Sequence, residues 1–304
     1  MGRRIVRACG WILLVTVVIY RWQPILAFLG RSAALMAGAG PAAAEHGQGY
    51  DETFALPAAA AAPNVKTVNL AMTSGRYTTV DGIALKNGTG YAVDIAETLR
   101  RKFEKPSLSK DRPVVLIYHT HAQEKYAEGT SGVVELGERM KERFERNGMK
   151  TVHITTDFTK GGSFNTSYTR SLAGVKEALE KYPSIKIVLD IHRDSITDGG
   201  KDCAPVAAIG GQNYAQVMLI CGTDDKGLSH PEWRKNLRFA LALAQTAQAE
   251  YKGLFRPVDL NANRYNTHAT PYALLMEIGS DASSSADAER SAIAVADIIV
   301  KTVK

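Results

Sequence analysis

Val114-Val115-Leu116-Ile117-Tyr118-His119-Thr120-His121-Ala122-Gln123-Glu124 is the stretch on which the reading of this chain turns. Val114 to Tyr118 is an unbroken apolar run of strand length, and a strand apolar on both faces belongs inside a parallel sheet. The chain then becomes polar at once, with imidazoles at 119 and 121 and a carboxylate at 124. In open α/β sheets ligands bind beyond the carboxyl ends of the strands, so such a cluster at a strand end is where chemistry is expected.

Working outward, strand and helix patterns alternate. Glu135 to Asn147 puts Leu136, Met140 and Phe144 on one helical face, with Gly148 suited to the position just past its end. Thr151 to Thr155 reads as a strand, and Tyr168 to Tyr182 as a helix stopped by Pro183. Ile185 to Asp190 and Gln216 to Cys221 read as buried strands. Ser229 followed by Glu232 has capping-box spacing, with Pro231 in the first turn. The helix it opens carries Trp233, Leu237, Leu241 and Ala244 on one face and extends to Tyr251. Ala273 to Ile278 is the last buried strand. A closing helix from Ala286 aligns Ala292, Val295, Ile299 and Val303. Upstream, Ile83 to Leu85 reads as a short strand and Tyr91 to Phe103 as a helix with Val93, Ile95 and Leu99. Strands alternating with helices, without an internal repeat, predict an α/β fold.

Composition narrows the function classes. The 304 residues are 45% hydrophobic and carry a formal net charge of +6, which favours anionic surroundings such as a membrane face or an acidic wall polymer. No dense basic stripe with interleaved aromatics is present, which argues against nucleic-acid binding. Three cysteines are too few for a disulfide framework: Cys9 lies in an apolar segment, and Cys203 and Cys221 are either a disulfide or two buried thiols.

At the N-terminus, Arg3, Arg4 and Arg7 precede an apolar run from Ala8 to Tyr20, which Ile25 to Gly30 continues. Basic residues ahead of apolar ones keep the N-terminus in the cytoplasm and export the chain behind them. Residues 1–30 are therefore expected to form an uncleaved membrane anchor, with a cleaved signal peptide as the rival. Residues 31–64, rich in Ala, Gly and Pro, read as a flexible tether, and 65–304 as the catalytic domain. This predicts a single-pass protein of the cell membrane with its catalytic part outside the cytoplasm.

Three segments beside buried strands collect reactive residues: His119 to Glu124, Asp190-Ile191-His192-Arg193-Asp194, and Leu275-Met276-Glu277-Ile278-Gly279. A catalytic zinc site takes three nitrogen or oxygen ligands and keeps a fourth position for water. His121 and Glu124 can reach one ion from a single turn, His192 can supply the third ligand, and Glu277 is left to act as general base. His119 is an alternative ligand, since two histidines two apart on an extended chain point the same way. Each residue also has a plain reading. His192 is satisfied by Asp190 or Asp194, and Glu277 forms a salt bridge to Arg193 or Arg264. Arg193 and Asp194 orient substrate, stand behind a ligand, or form a structural ion pair. His46 and His230 read as solvated and His153 as structural. The loop Arg264-Tyr265-Asn266 with His268 lines a groove or is plain surface.

The ordered set Val115-Leu116-Ile117-Tyr118-His119-Thr120-His121 with Glu124 and Tyr126, then Asp190 to Asp194, Arg264-Tyr265-Asn266 and Leu275-Met276-Glu277-Ile278-Gly279-Ser280, resembles the stage II sporulation protein P family. The similarity extends from about Ile83 to the final helix and includes Ser167-Tyr168 to Ser171 and Trp233-Arg234-Lys235-Asn236-Leu237. After Ser280 this chain has Asp281-Ala282-Ser283-Ser284 where the family tends to carry Asn-Thr. The resemblance implies a twisted, mostly parallel sheet flanked by helices, of the zinc-dependent cell-wall amidase type. It also implies a membrane-anchored N-acetylmuramoyl-L-alanine amidase with added endopeptidase activity on peptide cross-links. Such an enzyme remodels septal peptidoglycan during sporulation engulfment, with sporulation proteins D and M as partners. On this reading Zn2+ is held by His121, Glu124 and His192, with Glu277 as base. The rivals are a zinc carboxypeptidase or endopeptidase confined to stem peptides, and a non-catalytic wall-binding scaffold.

Overall fold

The computed structural model describes residues 65–70, 77–163 and 166–304. The expected anchor over 1–30, the tether over 31–64 and His46 lie outside the described residues. Among the described residues, no helix is long and apolar enough to cross a membrane. Residues 197–201 group apart from the rest and hold the short strand β7 (Thr197–Asp198); the other described residues form one compact unit.

In chain order that unit contains β1 (Val65–Val68), β2 (Tyr77–Val80), β3 (Ile83–Asn87), α1 (Ile95–Arg100), β4 (Val115–Tyr118), α2 (Val133–Arg146), β5 (Thr151–His153), α3 (Ser167–Lys181) and β6 (Ile187–Asp194). There follow β8 (Lys201–Ile209), β9 (Gln212–Ala215), β10 (Val217–Gly222), α4 (Trp233–Ala247), β11 (Val258–Asn261), β12 (Tyr272–Ser280) and α5 (Ser285–Val303). Eight strands make the main sheet in the order β2-β3-β11-β10-β12-β6-β4-β5. Neighbours are parallel except β2 with β3 and β10 with β12, so the sheet is mixed but mostly parallel. A smaller sheet joins β1 and β9 to β8.

The two faces of the main sheet follow from the period of two along a strand. Val115 and Ile117 of β4, Ile187, Leu189 and Ile191 of β6, and Leu274, Met276 and Ile278 of β12 belong to the larger core, with the apolar faces of α2, α4 and α5. Leu116, Tyr118, Val188 and Ala273 take the opposite parity and pack with Val175 and Ala178 of α3. Among the described residues, α2, α4 and α5 with Ile95 of α1 thus pack on the first face, and α3 alone packs with the second cluster.

Several expected boundaries move. β6 runs on to Asp194, so His192 sits inside the strand and not after it, and β12 runs on to Ser280, with Glu277 inside it as expected. The 91–103 helix shrinks to α1, capped by the Asp94 carboxylate, which accepts the Glu97 N–H at 2.9 Å. Ser229 and Glu232 do not form a capping box: α4 begins at Trp233 with Glu232 as its cap residue and ends at Ala247. The strands β1, β2, β9 and β11, four residues each, are too short to show a period, and β8 went unread although Cys203 to Ile209 is largely apolar, with Pro205 interrupting the strand pattern. Cys203 and Cys221 are both buried and are not joined by a disulfide.

Candidate metal centre

Parity places the chemistry. Asp190 and His192 share the face of Val188, and Glu277 shares that of Ala273, so all three project from the less covered side of the sheet. In the parallel pairing of β6 with β12, His192 and Glu277 are register partners. The turn after β4 brings the remaining groups over this spot. Glu124 lies between two rings, with Oε1 3.5 Å from His121 Nδ1 and Oε2 3.3 Å from His192 Nδ1. One ligand atom from each of His121, Glu124 and His192 falls within 4.8 Å of the others.

Each of these side chains is held from behind. Glu124 Oε2 accepts the Arg193 backbone N–H at 3.1 Å. His121 Nε2 meets Ser167 Oγ at 3.1 Å, at the first residue of α3. His192 Nε2 lies 2.9 Å from Asp190 Oδ1, an ionic contact outside hydrogen-bond alignment. Asp190 is itself fixed by the Thr120 N–H at 2.9 Å and the Thr120 hydroxyl at 2.7 Å. Glu277 is partly exposed as a residue, but its Oε2 is sealed from solvent and has no hydrogen-bond partner.

The charges respond to this crowding. Burial opposes ionisation of Glu124, yet the His192 cation and hydrogen bonds from His121, His192 and the Arg193 N–H hold it well below the usual carboxylate range. Burial likewise opposes a charged His192, and the Asp190 and Glu124 carboxylates overcome it, holding the ring well above its ordinary value. Glu277 goes the other way. Burial, then the nearby Asp194, pushes it up to about 8, with Glu124 adding and His192 and Arg256 opposing. Carboxylates with opposed proton affinities beside one metal-binding set can divide the work of ligand and acid–base group.

His119 is not part of this group. The strand ends at Tyr118 and the following turn sends the two histidines apart, so the extended-chain argument for a His119–His121 pair fails. Its Nδ1 contacts Ile191 O at 3.0 Å and its Nε2 meets His153 Nε2 at 2.8 Å. His153 reaches Glu138 Oε2 at 2.9 Å through Nδ1. The guanidinium of Arg193 is spent on the Lys125 and Asp194 carbonyls, at 3.1 and 3.4 Å. Asp194 Oδ2 pairs with Arg256 Nη1 at 2.8 Å. Arg264 donates to Ser229 O at 3.1 Å, so the salt bridge expected for Glu277 goes to neither arginine. Asn266 is buried, and its amide N–H groups bind Tyr168 O and Ser171 Oγ, both at 3.0 Å. His230, expected in solvent, is buried, with Nε2 3.4 Å from Thr267 Oγ1 and its ring against His268.

Sequence reasoning missed Tyr168, Tyr265 and Arg256. The two tyrosines stood in the quoted segments, but an aromatic at a helix start or in a loop carries no chemical signal. Here the Tyr168 ring packs edge-on to His121 at 5.5 Å, and Tyr265 packs on Tyr168 at 5.5 Å. Arg256 had no signal at all, since its partner Asp194 is 62 residues away in the chain.

Stage II sporulation protein P of Bacillus subtilis (strain 168) is 28% identical over 236 residues, covering 67% of this chain and 57% of that protein. The chain therefore spans little more than half the length of that relative. Among solved structures, N-acetylmuramoyl-L-alanine amidase AmiC2 of Nostoc punctiforme aligns with a TM-score of 0.40 at 13% identity, over 65% of this chain and 97% of that one. The CwlD amidase from Clostridioides difficile, in complex with the GerS lipoprotein, aligns with a TM-score of 0.41 at 11% identity, over 62% and 96%. Residues 59–300, nearly the whole chain past the N-terminal stretch, match the family described as stage II sporulation protein P, and the chain belongs to that family.

Proposed function

We propose that this chain is a zinc-dependent peptidoglycan hydrolase that cleaves the amide between N-acetylmuramic acid and L-alanine. The observation that carries the proposal is the convergence of His121, Glu124 and His192 within 4.8 Å, with Glu277 paired in register to His192. Two imidazoles and one carboxylate are a ligand set that zinc accepts, and three ligands leave room for water. When bound there, zinc would supply a Lewis acid and an acidified water.

The chain's own groups supply the rest. His192 would bind through Nδ1, the atom facing Glu124, with Asp190 Oδ1 2.9 Å from Nε2, where its charge favours the proton on that nitrogen. The Arg193 N–H keeps one Glu124 oxygen aimed at the ligand set. Glu277 would take a proton from the attacking water and return it to the leaving amine of L-alanine. Its raised proton affinity supports a carboxyl that keeps a proton between those two events. Beside a dication the same carboxyl would ionise more readily, as a base must.

The family resemblance supports the further expectations: activity on peptide cross-links, a role in septal wall remodelling during engulfment, sporulation proteins D and M as partners, and residues 1–30 as an anchor that leaves the catalytic part outside the cytoplasm. The test is mass spectrometry of purified peptidoglycan digested by the zinc-loaded protein. Free stem peptides beginning at L-alanine are expected, and they should vanish with His192→Ala. Shortened stems on an intact lactyl amide would replace the amidase reading with a peptidase.

A further inference from the structure

Tyr265 is one of two non-glycine residues at positive φ among the described residues, at +48°; the other, Asp81, sits in a tight hairpin turn. A bulky side chain in this region is uncommon, and it persists only where the surroundings over-determine it. They do so here. Asn266 binds α3 through Tyr168 O and Ser171 Oγ. The Asn236 amide donates to Thr267 O and Thr270 O at 2.9 Å and to Ala273 O at 2.7 Å. The Gly222 N–H donates to Thr267 Oγ1 at 3.2 Å. At Gly222 the backbone comes so close that a Cβ would lie 2.2 Å from Arg264 O. This loop is clamped on three elements, and what it displays is the Tyr265 ring.

The ring is half-buried, packs on half-buried Tyr168, and through it reaches the metal-binding His121. Burial, with Asp259 and Glu277 adding, raises the phenol's proton affinity, so it stays neutral. A rigid, neutral aromatic face therefore borders the candidate metal centre on the α3 side. Under the amidase reading, on which this inference rests, the groups flanking the scissile amide are a sugar and L-alanine. A pyranose has a broad C–H face that matches an aromatic ring, whereas alanine offers one methyl. We infer that Tyr265, backed by Tyr168, is a specificity-determining residue that stacks on the saccharide side of the scissile amide.

The test uses zinc-loaded full-length protein and two substrates, a muramyl-peptide and the corresponding D-lactyl-peptide that lacks the sugar. Tyr265→Ala and Tyr265→Gly delete the same ring, but only glycine adopts this backbone freely, so the Gly variant should be the more stable of the two. Both should raise KM for the muramyl-peptide by about tenfold, the scale of one aromatic stacking contact, and leave the D-lactyl-peptide unaffected. Zinc affinity should equal that of the wild type in both. If the KM increase follows the stability order, large in Ala and absent in Gly, or if both substrates are affected equally, the inference is overturned and the amidase reading stands. If the zinc-loaded wild type releases peptide from neither substrate, the amidase reading falls and takes the inference with it.

Discussion

Glu277→Gln should stabilise the metal-free protein while slowing the zinc-loaded one, and the gain should depend on pH. The carboxyl is held at about 8 in the folded chain against an ordinary value of 4.5. The folded state thus keeps a proton that the unfolded state releases, and stability falls as pH rises from 4.5 to 8. At 1.36 kcal/mol per pH unit, the loss reaches ~3 kcal/mol at pH 7 and ~5 kcal/mol at and above pH 8. Glutamine does not titrate, so the variant escapes it. Below about pH 4 both carboxyl states are protonated and the two proteins should have nearly equal stability. The measurement is urea unfolding of both proteins in chelator at pH 4, 5, 6, 7 and 8. With zinc present the advantage of glutamine should shrink, because a dication favours the ionised wild-type carboxylate. Turnover should fall about 10²- to 10⁴-fold. A stability difference that stays flat from pH 4 to 8 would refute the reasoning, since an exposed or well-partnered carboxylate behaves that way.

Two other outcomes are expected, one at this site and one at the neighbouring His119–His153 pair. In the metal-free chain His192 is held charged by Asp190 and Glu124, well above the ordinary histidine value, so its contribution to stability is complete below pH 6.5 and is lost as pH rises through the raised value. A metal needs the neutral ring, so zinc binding at pH 7 should release a proton and tighten with pH; calorimetric enthalpies that are the same in buffers of different ionisation heat would disprove it. Gly137 of α2 lets the helix approach the histidine pair: a Cβ there would lie 2.6 Å from His153 Nε2 and 2.7 Å from His119 Nε2. Gly137→Ala should cost about 1–3 kcal/mol despite its better helix propensity, read as a lower melting temperature, and an unchanged one would show that the rings can move aside.

What could be read from residues alone was set by local physics. The largely apolar runs at 114–118, 185–190 and 273–278 marked sheet interior because no solvent-facing strand is apolar on both sides, and alternation with amphipathic helices made the fold α/β. His121, Glu124, His192 and Glu277 stood out as polar groups attached to those runs, where burial without a purpose is costly. Short strands such as β9 and β11 were invisible, since a few residues carry no period and their partners lie far along the chain. The His119 alternative could not be decided either, because whether two nearby side chains point together depends on whether the backbone stays extended or turns after Tyr118. The chain by itself determined which residue types end which strands. Only the tertiary structure decided which of them meet: strand register sets His192 beside Glu277, and long-range packing brings Tyr168 against His121 and Arg256 to Asp194. Such contacts join residues dozens of positions apart, and no local pattern encodes a distance that folding alone closes.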